Sequence, residues 1–169
     1  LITGANGFIG KNLISVLEES KTYKIIKFTK EDGISSLENK IKNAEFIIHL
    51  AGTNRSKNNK LFWEVNNDLT EIICNLLKKY SIKIPIIFSS SIQVQLNNIY
   101  GLTKLSAEEH LKELNNSNSN PILIYRLPGI FGKWCKPNYN SVVATFCHKI
   151  ANDLEPKIID KDKEIKLIY

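Results

Sequence analysis

Tyr100 and Lys104 stand four residues apart in Tyr100-Gly101-Leu102-Thr103-Lys104, a short way past the run Ser89-Ser90-Ser91. A phenol with an ordinary pKa near 10 is a poor acid–base catalyst at neutral pH. A neighbouring ammonium favours the phenolate and lowers that value. Such a phenol can hand a proton to a carbonyl oxygen, while a hydroxyl such as Ser91 orients the same oxygen. Spacing alone is weak support, because six tyrosines and 23 lysines make chance pairs expected, and Tyr23 with Lys27 is one. In a strand four residues span about 13 Å, so Tyr23 and Lys27 cannot act together. On a helix the same spacing brings two side chains within about 6 Å on one face. Tyr100 and Lys104 stand where a helix begins.

The second chemical signal is Thr3-Gly4-Ala5-Asn6-Gly7-Phe8-Ile9-Gly10, with glycines three apart. Gly4 permits a tight turn, Gly7 lets backbone approach a pyrophosphate, and Gly10 allows close helix–strand packing. The phosphates would meet the free amides around Phe8 and Ile9 at a helix N-terminus. A nicotinamide dinucleotide is the expected ligand. An acid at the end of the second strand suits the ribose of NADH, a base the extra phosphate of NADPH. After Lys27-Phe28 come Thr29-Lys30, with Glu31 and Asp32 only later, so Lys30 favours NADPH over NADH.

The elements needed to position these groups are visible in the pattern. Leu1-Ile2 ends a strand and Lys11 to Glu19 continues the glycine turn as helix. Strands are expected over Tyr23 to Phe28, Glu45 to Leu50, Ile84 to Phe88, Pro121 to Leu127 and Glu164 to Tyr169. Helices are expected over Ser35 to Lys42, capped by Ser35 or Ser36, and over Phe62 to Tyr80, Thr103 to Leu114 and Ser141 to Ile150. Asn115 to Asn120 reads as a polar loop. Near-continuous apolar strands alternating with helices indicate a parallel sheet covered on both faces, a Rossmann-type doubly wound α/β fold. One nicotinamide-dinucleotide-binding domain is expected over residues 1–169. With two apolar residues before the glycine turn and no methionine, the chain is expected to be a fragment truncated at both ends.

The bulk composition, 43% hydrophobic and 24% charged, is that of an ordinary globular chain. The net charge of +6 comes from lysines scattered along helices, with no basic stripe interleaved with aromatics, so no nucleic-acid partner is expected. No apolar run approaches the roughly 20 residues that span a bilayer, so no membrane partner is expected either. Cys74, Cys135 and Cys147 are odd in number and widely spaced, and His49, His110 and His148 form no cluster. No disulfide or metal site is expected, and a reducing cytoplasm fits.

Gly4, Gly7 and Gly10, His49-Leu50-Ala51-Gly52, Asn66, the serine run and the Tyr100/Lys104 pair together resemble the extended short-chain dehydrogenases/reductases, the NAD-dependent epimerase/dehydratase family. The resemblance covers essentially the whole chain. It implies Ser91, Tyr100 and Lys104 as a catalytic triad, and Leu50, Ala51, Gly52, Ser89, Leu127 and Pro128 as residues lining the cofactor. Within that family, Asn54-Arg55, Ser89 to Gln93 and the stretch from Phe131-Gly132-Lys133-Trp134-Cys135-Lys136-Pro137-Asn138-Tyr139 to Cys147 resemble the reductases of capsular polysaccharide synthesis.

That narrower likeness implies an NADPH-dependent reductase of a UDP-linked 4-keto-6-deoxy-N-acetylamino sugar. It implies a homodimer when full length, with a C-terminal cupin domain outside this sequence. Asn54, Arg55, Lys133, Trp134, Lys136 and Tyr139 would then bind substrate: cations for the diphosphate, aromatic faces for sugar or uracil. The same loop also reads as plain surface. Gly129 departs from the broader family, which often has asparagine there. Ser91 is followed by Ile92-Gln93, so a 4,6-elimination lacks its acid pair. A sugar-nucleotide 4-epimerase and a non-catalytic dinucleotide-binding sensor stay open as alternatives.

Overall fold

β1 (Ile2–Thr3) is a two-residue strand buried on both sides, and it runs through the glycine turn into α1 (Phe8–Ser20). β2 (Lys27–Phe28), α2 (Ile34–Lys42) and β3 (Ile47–His49) follow. A continuous helical run then comprises α3 (Asn59–Phe62), a π-helical segment (Trp63–Asp68) and α4 (Leu69–Lys79). β4 (Ile86–Ser91) leads through a 3-10 turn (Ile92–Gln95) to α5 (Ile99–Asn118) and β5 (Ile122–Leu127). The computed structural model describes residues 1–158, 160–162 and 164–169.

The five strands form one sheet in the order β2-β1-β3-β4-β5. β1 pairs in parallel with β2 and β3, and β3 with β4. The expected α/β class with a parallel, helix-flanked sheet is the observed one. The order reverses at β1, so the crevice that open parallel sheets offer to ligands lies between the segments after β1 and β3. Leu37, Ile41, Ile47, Ile73, Leu77, Phe88, Leu111 and Leu114 are fully buried against one another. Each such side chain contributes about 1.5–3 kcal/mol of transfer free energy. On α4 the buried positions Leu69, Ile73, Cys74 and Leu77 recur at helical spacing, which is why that segment folds as helix.

The chain divides into two units, Leu1–Arg126 and Leu127–Tyr169. In the second, β6 (Gly129–Ile130) pairs in parallel with β7 (Leu167–Ile168), and α6 (Val142–Ile150) is capped by Ser141, whose hydroxyl accepts from the Ala144 amide. The Cβ of any residue replacing Gly129 would lie 3.0 Å from the Leu167 side chain.

Several element boundaries differ from expectation. The second strand is Lys27–Phe28 alone, with Tyr23 exposed. Gly33, not a serine, caps α2, and the Ser36 hydroxyl instead donates to the Gly33 carbonyl. β4 continues through its serines because Ser90 and Ser91 are buried with bonded hydroxyls. α5 begins at Ile99, capped by the Asn98 side chain, so Tyr100 lies inside the helix. The expected loop after Leu114 is helix as far as Asn118. There Asn118 and the fully buried Asn120 donate to the carbonyl of Ile82, and Asn120 also to Ile84. Asparagine side chains satisfy backbone that a polar-loop reading leaves to water.

Candidate active site

Thr3 begins the construction of the site. Its hydroxyl bonds His49 Nδ1 at 2.6 Å and accepts from the Ala51 amide at 3.1 Å, while its carbonyl accepts from Leu50. The segment Leu50-Ala51-Gly52 is thereby pinned against the glycine turn. Gly4 has φ +66°, and a Cβ there would fall 2.8 Å from the Ala51 amide nitrogen. A Cβ on Gly10 would meet the Gly4 carbonyl oxygen at 2.4 Å. Both glycines are thus required by close backbone approach. Gly7 is exposed and opens α1 without a side-chain cap, and no acidic residue occupies the first turn. The amides at Phe8 and Ile9 and the positive end of the helix dipole are left to an external anion. This cradle fits the pyrophosphate of a dinucleotide.

β4 and α5 bring the candidate triad to the same edge of the sheet. Ser91 Oγ accepts from the Gln93 amide at 3.2 Å, capping the 3-10 turn, so its proton is free to point elsewhere. Burial raises the pKa of the half-buried Tyr100, while its hydrogen bond with Ser91 pulls it down. Phe62, buried at the end of α3, packs edge-on against the Tyr100 ring at 6.5 Å.

Lys104 is 2% exposed, with Nζ 4.2 Å from the centre of the Phe88 ring and 3.6 Å from where a Gly52 Cβ would lie. Burial pulls its pKa down to about 7, against the attraction of Glu108. The expected depression of the phenol by the amine is therefore corrected. Burial dominates at Tyr100 and moves it upward, which keeps the phenol protonated at neutral pH.

Asn66 ties these parts together from the π-helical segment. Fully buried, it accepts from the Thr53 amide at 2.7 Å and donates to the Thr53 carbonyl and to Thr103 Oγ1 on α5. The segment after β3 and the first turns of α5 are thus clamped to one side chain. His49 bridges Thr3 and Thr70, stacks on Phe88 at 5.3 Å, and has its pKa lowered to about 3 by burial and by Lys104. Ser89 donates to the His49 carbonyl at 3.2 Å.

At the end of β2, Lys30 is 91% exposed and lies 3.9 Å from Glu31. Hydrogen bonds from Thr29 and, more weakly, from Asn6 of the glycine turn hold the Glu31 carboxyl below its usual range, as does Lys30. Asp32 is turned inward: it accepts from the Thr29 amide and hydroxyl and pairs with Lys40, which brings its pKa down to about 2.

Asn54 and Arg55 lie exposed between Gly52 and α3. Lys133, Trp134, Lys136 and Tyr139 belong to the second unit and are exposed there, with Lys133 Nζ 4.6 Å from the centre of the Trp134 ring. Trp134 and Asn138 have φ of +66° and +55°, and the Asn138 amide donates to Thr145 of α6. Leu127 ends β5 and Pro128 follows it, both in the second unit. A cavity of about 660 Å³ lies elsewhere, at the N-terminal ends of β1 to β3, lined by Leu1, Tyr23, Ile25, Phe46 and Ile87 among others. It contains none of the glycine-turn or triad residues.

Sequence reasoning missed Glu108, Arg126, Gly101 and Phe62. A charged residue on the buried stripe Ala107, Leu111, Leu114 was the available signal for Glu108. A Cβ on Gly101 would fall 2.1 Å from the Gln93 carbonyl oxygen, so this glycine seats α5 against the 3-10 turn.

A parallel sheet with a glycine cradle after its first strand and a Ser/Tyr/Lys corner after its fourth defines a dinucleotide-dependent enzyme class. Residues 1–166 match the NAD dependent epimerase/dehydratase family, and the chain belongs to it. A nicotinamide dinucleotide is accordingly its class of cofactor.

Among its relatives is the UDP-2-acetamido-2,6-beta-L-arabino-hexul-4-ose reductase of Pseudomonas aeruginosa, 44% identical over all 169 residues and 45% of the relative's length. The capsular polysaccharide assembling protein CapF of Staphylococcus aureus superposes with a TM-score of 0.85 at 40% identity, over 99% of this chain and 46% of CapF. The UDP-glucose 4-epimerase of Thermotoga maritima shares the fold, with a TM-score of 0.87 at 20% identity, over 99% of this chain and 68% of that one. The chain spans less than half the length of the first two.

Proposed function

We propose that this chain is the cofactor-binding and catalytic part of an NADPH-dependent reductase acting on a UDP-linked 4-keto-6-deoxy-N-acetylamino sugar. The supporting observation is the corner formed by Ser91, Tyr100 and buried Lys104, in a chain 44% identical along its whole length to a hexul-4-ose reductase. The bound dinucleotide supplies a hydride for the carbonyl carbon. Tyr100 donates its proton to the carbonyl oxygen, which completes the alcohol, and regains a proton from solvent. Burial keeps Tyr100 protonated until the step needs it. Ser91, its oxygen already accepting from Gln93, donates to the same carbonyl oxygen and polarises it. Lys104, whose pKa lies near 7, places a partial positive charge beside Gly52, one helical turn from Tyr100.

In this reading Leu50, Ala51, Gly52, Ser89, Leu127 and Pro128 line the cofactor. Asn54, Arg55, Lys133, Trp134, Lys136 and Tyr139 receive the nucleotide sugar. Among the described residues no helix is long and apolar enough to cross a membrane. The full-length protein is proposed to act as a homodimer in the cytoplasm. A further part of the substrate lobe and a cupin domain are proposed to lie beyond this sequence.

The test is NADPH oxidation by the full-length protein with a UDP-4-keto sugar. Stoichiometric consumption of NADPH is expected, and Tyr100→Phe is expected to reduce turnover at least a thousandfold, on the order of the largest single general-acid effects, with NADPH affinity nearly unchanged. Sugar isomerisation without net NADPH consumption would identify a 4-epimerase instead. Undiminished turnover in Tyr100→Phe would remove the assigned acid.

A further inference from the structure

Glu108 is 1% exposed on α5, one helical turn beyond Lys104. Its carboxylate accepts from Ser90 Oγ at 2.6 Å on β4 and from Arg126 Nε and Nη2 at 2.9 and 2.7 Å on β5. Lys112, the next turn along, lies 3.8 Å away. Three elements therefore fix one buried carboxylate in orientation. A merely structural tie between β4, β5 and α5 would not need a full negative charge, since burying it carries a desolvation cost of several kcal/mol. The position of the charge gives it a use. It stands behind Lys104, whose Nζ lies over the Phe88 ring, close to Gly52.

Lys104 has no carboxylate within salt-bridge distance among the described residues, so its amine is not drawn away from the Gly52 side. The groups around it are Glu108 from its own helix, neutral buried His49 from β3, Asn66 from the π-helical segment, and Phe88 from β4. Of these, Glu108 is the one that carries a negative charge.

We propose that Glu108 is the internal counter-charge of Lys104, a positioning residue that raises the protonated share of the lysine beside Gly52 while Ser90 and Arg126 hold the carboxylate away from the amine. The role given to a protonated Lys104 rests on the reading of the site above, but the coupling between the two side chains does not. Burial alone disfavours the ammonium, and Glu108 is the attraction that opposes it. Arg126 and Ser90, in turn, help to hold the Glu108 carboxyl below its usual range despite burial.

The test follows the titration of Lys104 by NMR in the full-length protein carrying carbon-13-labelled lysine, with Lys104→Met identifying the resonance. The midpoint is expected near 7 in the native protein, as burial dictates. It is expected to fall by about one pH unit in Glu108→Gln, the lower end of the effect of an opposite charge at this range. Glu108→Asp, which keeps the charge, is expected to titrate between the two. NADPH affinity, read by its fluorescence, is expected to fall several-fold in Glu108→Gln at pH 7.5 and to recover at pH 6. A folded Glu108→Gln protein with an unmoved midpoint overturns the proposal. Should that variant not fold, Arg126→Gln removes the guanidinium that competes for the carboxylate; an upward movement of the midpoint is expected, and its absence overturns the proposal equally. A moved midpoint in a protein that reduces no sugar would leave the coupling standing and reject the reductase reading.

Discussion

Lys30 and Glu31 stand side by side at the end of β2 and make opposite demands on a dinucleotide. A base there welcomes the phosphate of NADPH, whereas an acid suits the ribose hydroxyls of NADH. Lys30 was legible as the next charged residue after the strand. The tie between Glu31 and Asn6 was not, because it joins the ends of separate loops. Asp32 is withdrawn from the contest by Lys40 and Thr29. Lys30→Ala is expected to weaken NADPH at least tenfold more than NADH, the loss of one charge-assisted contact of about 1.5–3 kcal/mol. Glu31→Gln is expected to tighten NADPH, by removing a repulsive charge. Titrations of both cofactors against both variants check this. Equal loss of the two in Lys30→Ala would remove the phosphate role.

At the scale of elements, the candidate corner depends on how closely α5 approaches the strand it follows. The short connection from Ser91 to Tyr100 folds as a 3-10 turn capped by Ser91 and a helix capped by Asn98. Gly101 lets the two caps meet, since a Cβ there would overlap the Gln93 backbone. Gly101→Ala is expected to destabilise the protein by about 1–3 kcal/mol, the usual cost of overpacking. It is also expected to lower kcat/KM about a hundredfold, because displacing Tyr100 from Ser91 by an ångström suffices. Thermal unfolding and steady-state kinetics separate the two effects. Unchanged kinetics in the Gly101→Ala variant would mean that the approach of helix and turn is not what aligns the phenol.

At the scale of the whole molecule, His49 sits where β1, β3 and α4 meet and is held neutral in the core. The unfolded chain binds a proton at this residue below about pH 6.5, while the folded chain resists it until about 3. Stability therefore falls as pH drops through that window. Between pH 7 and pH 5 the loss is expected to be about 2 kcal/mol, a slope of about 1.4 kcal/mol per unit below the unfolded pKa. The carboxylates with lowered pKa, such as Asp32 and Glu108, titrate beneath that range. Denaturant unfolding at the two pH values measures the loss, and His49→Asn should flatten it. An undiminished slope in that variant would place the titrating group elsewhere.

The sequence alone determined the class of fold and the glycine turn, and it named Ser91, Tyr100 and Lys104 as candidates, because each is written in local pattern. Apolar runs at strand or helix spacing, glycines three apart between strand and helix, and two side chains one helical turn apart all act over a few residues. The extra turns of α5 were hidden, since the asparagines that end it bond backbone at Ile82 and Ile84, far back in the chain. The direction of the Tyr100 pKa was misread for a related reason: the sequence displays the lysine nearby but not the burial that outweighs it. Tertiary structure also decided that Glu108 and Arg126 meet, that Asn66 spans from Thr53 to Thr103, and that Phe62 backs Tyr100. Desolvation and long-range hydrogen bonding are properties of what surrounds a residue in space, and only the folded chain brings those surroundings together.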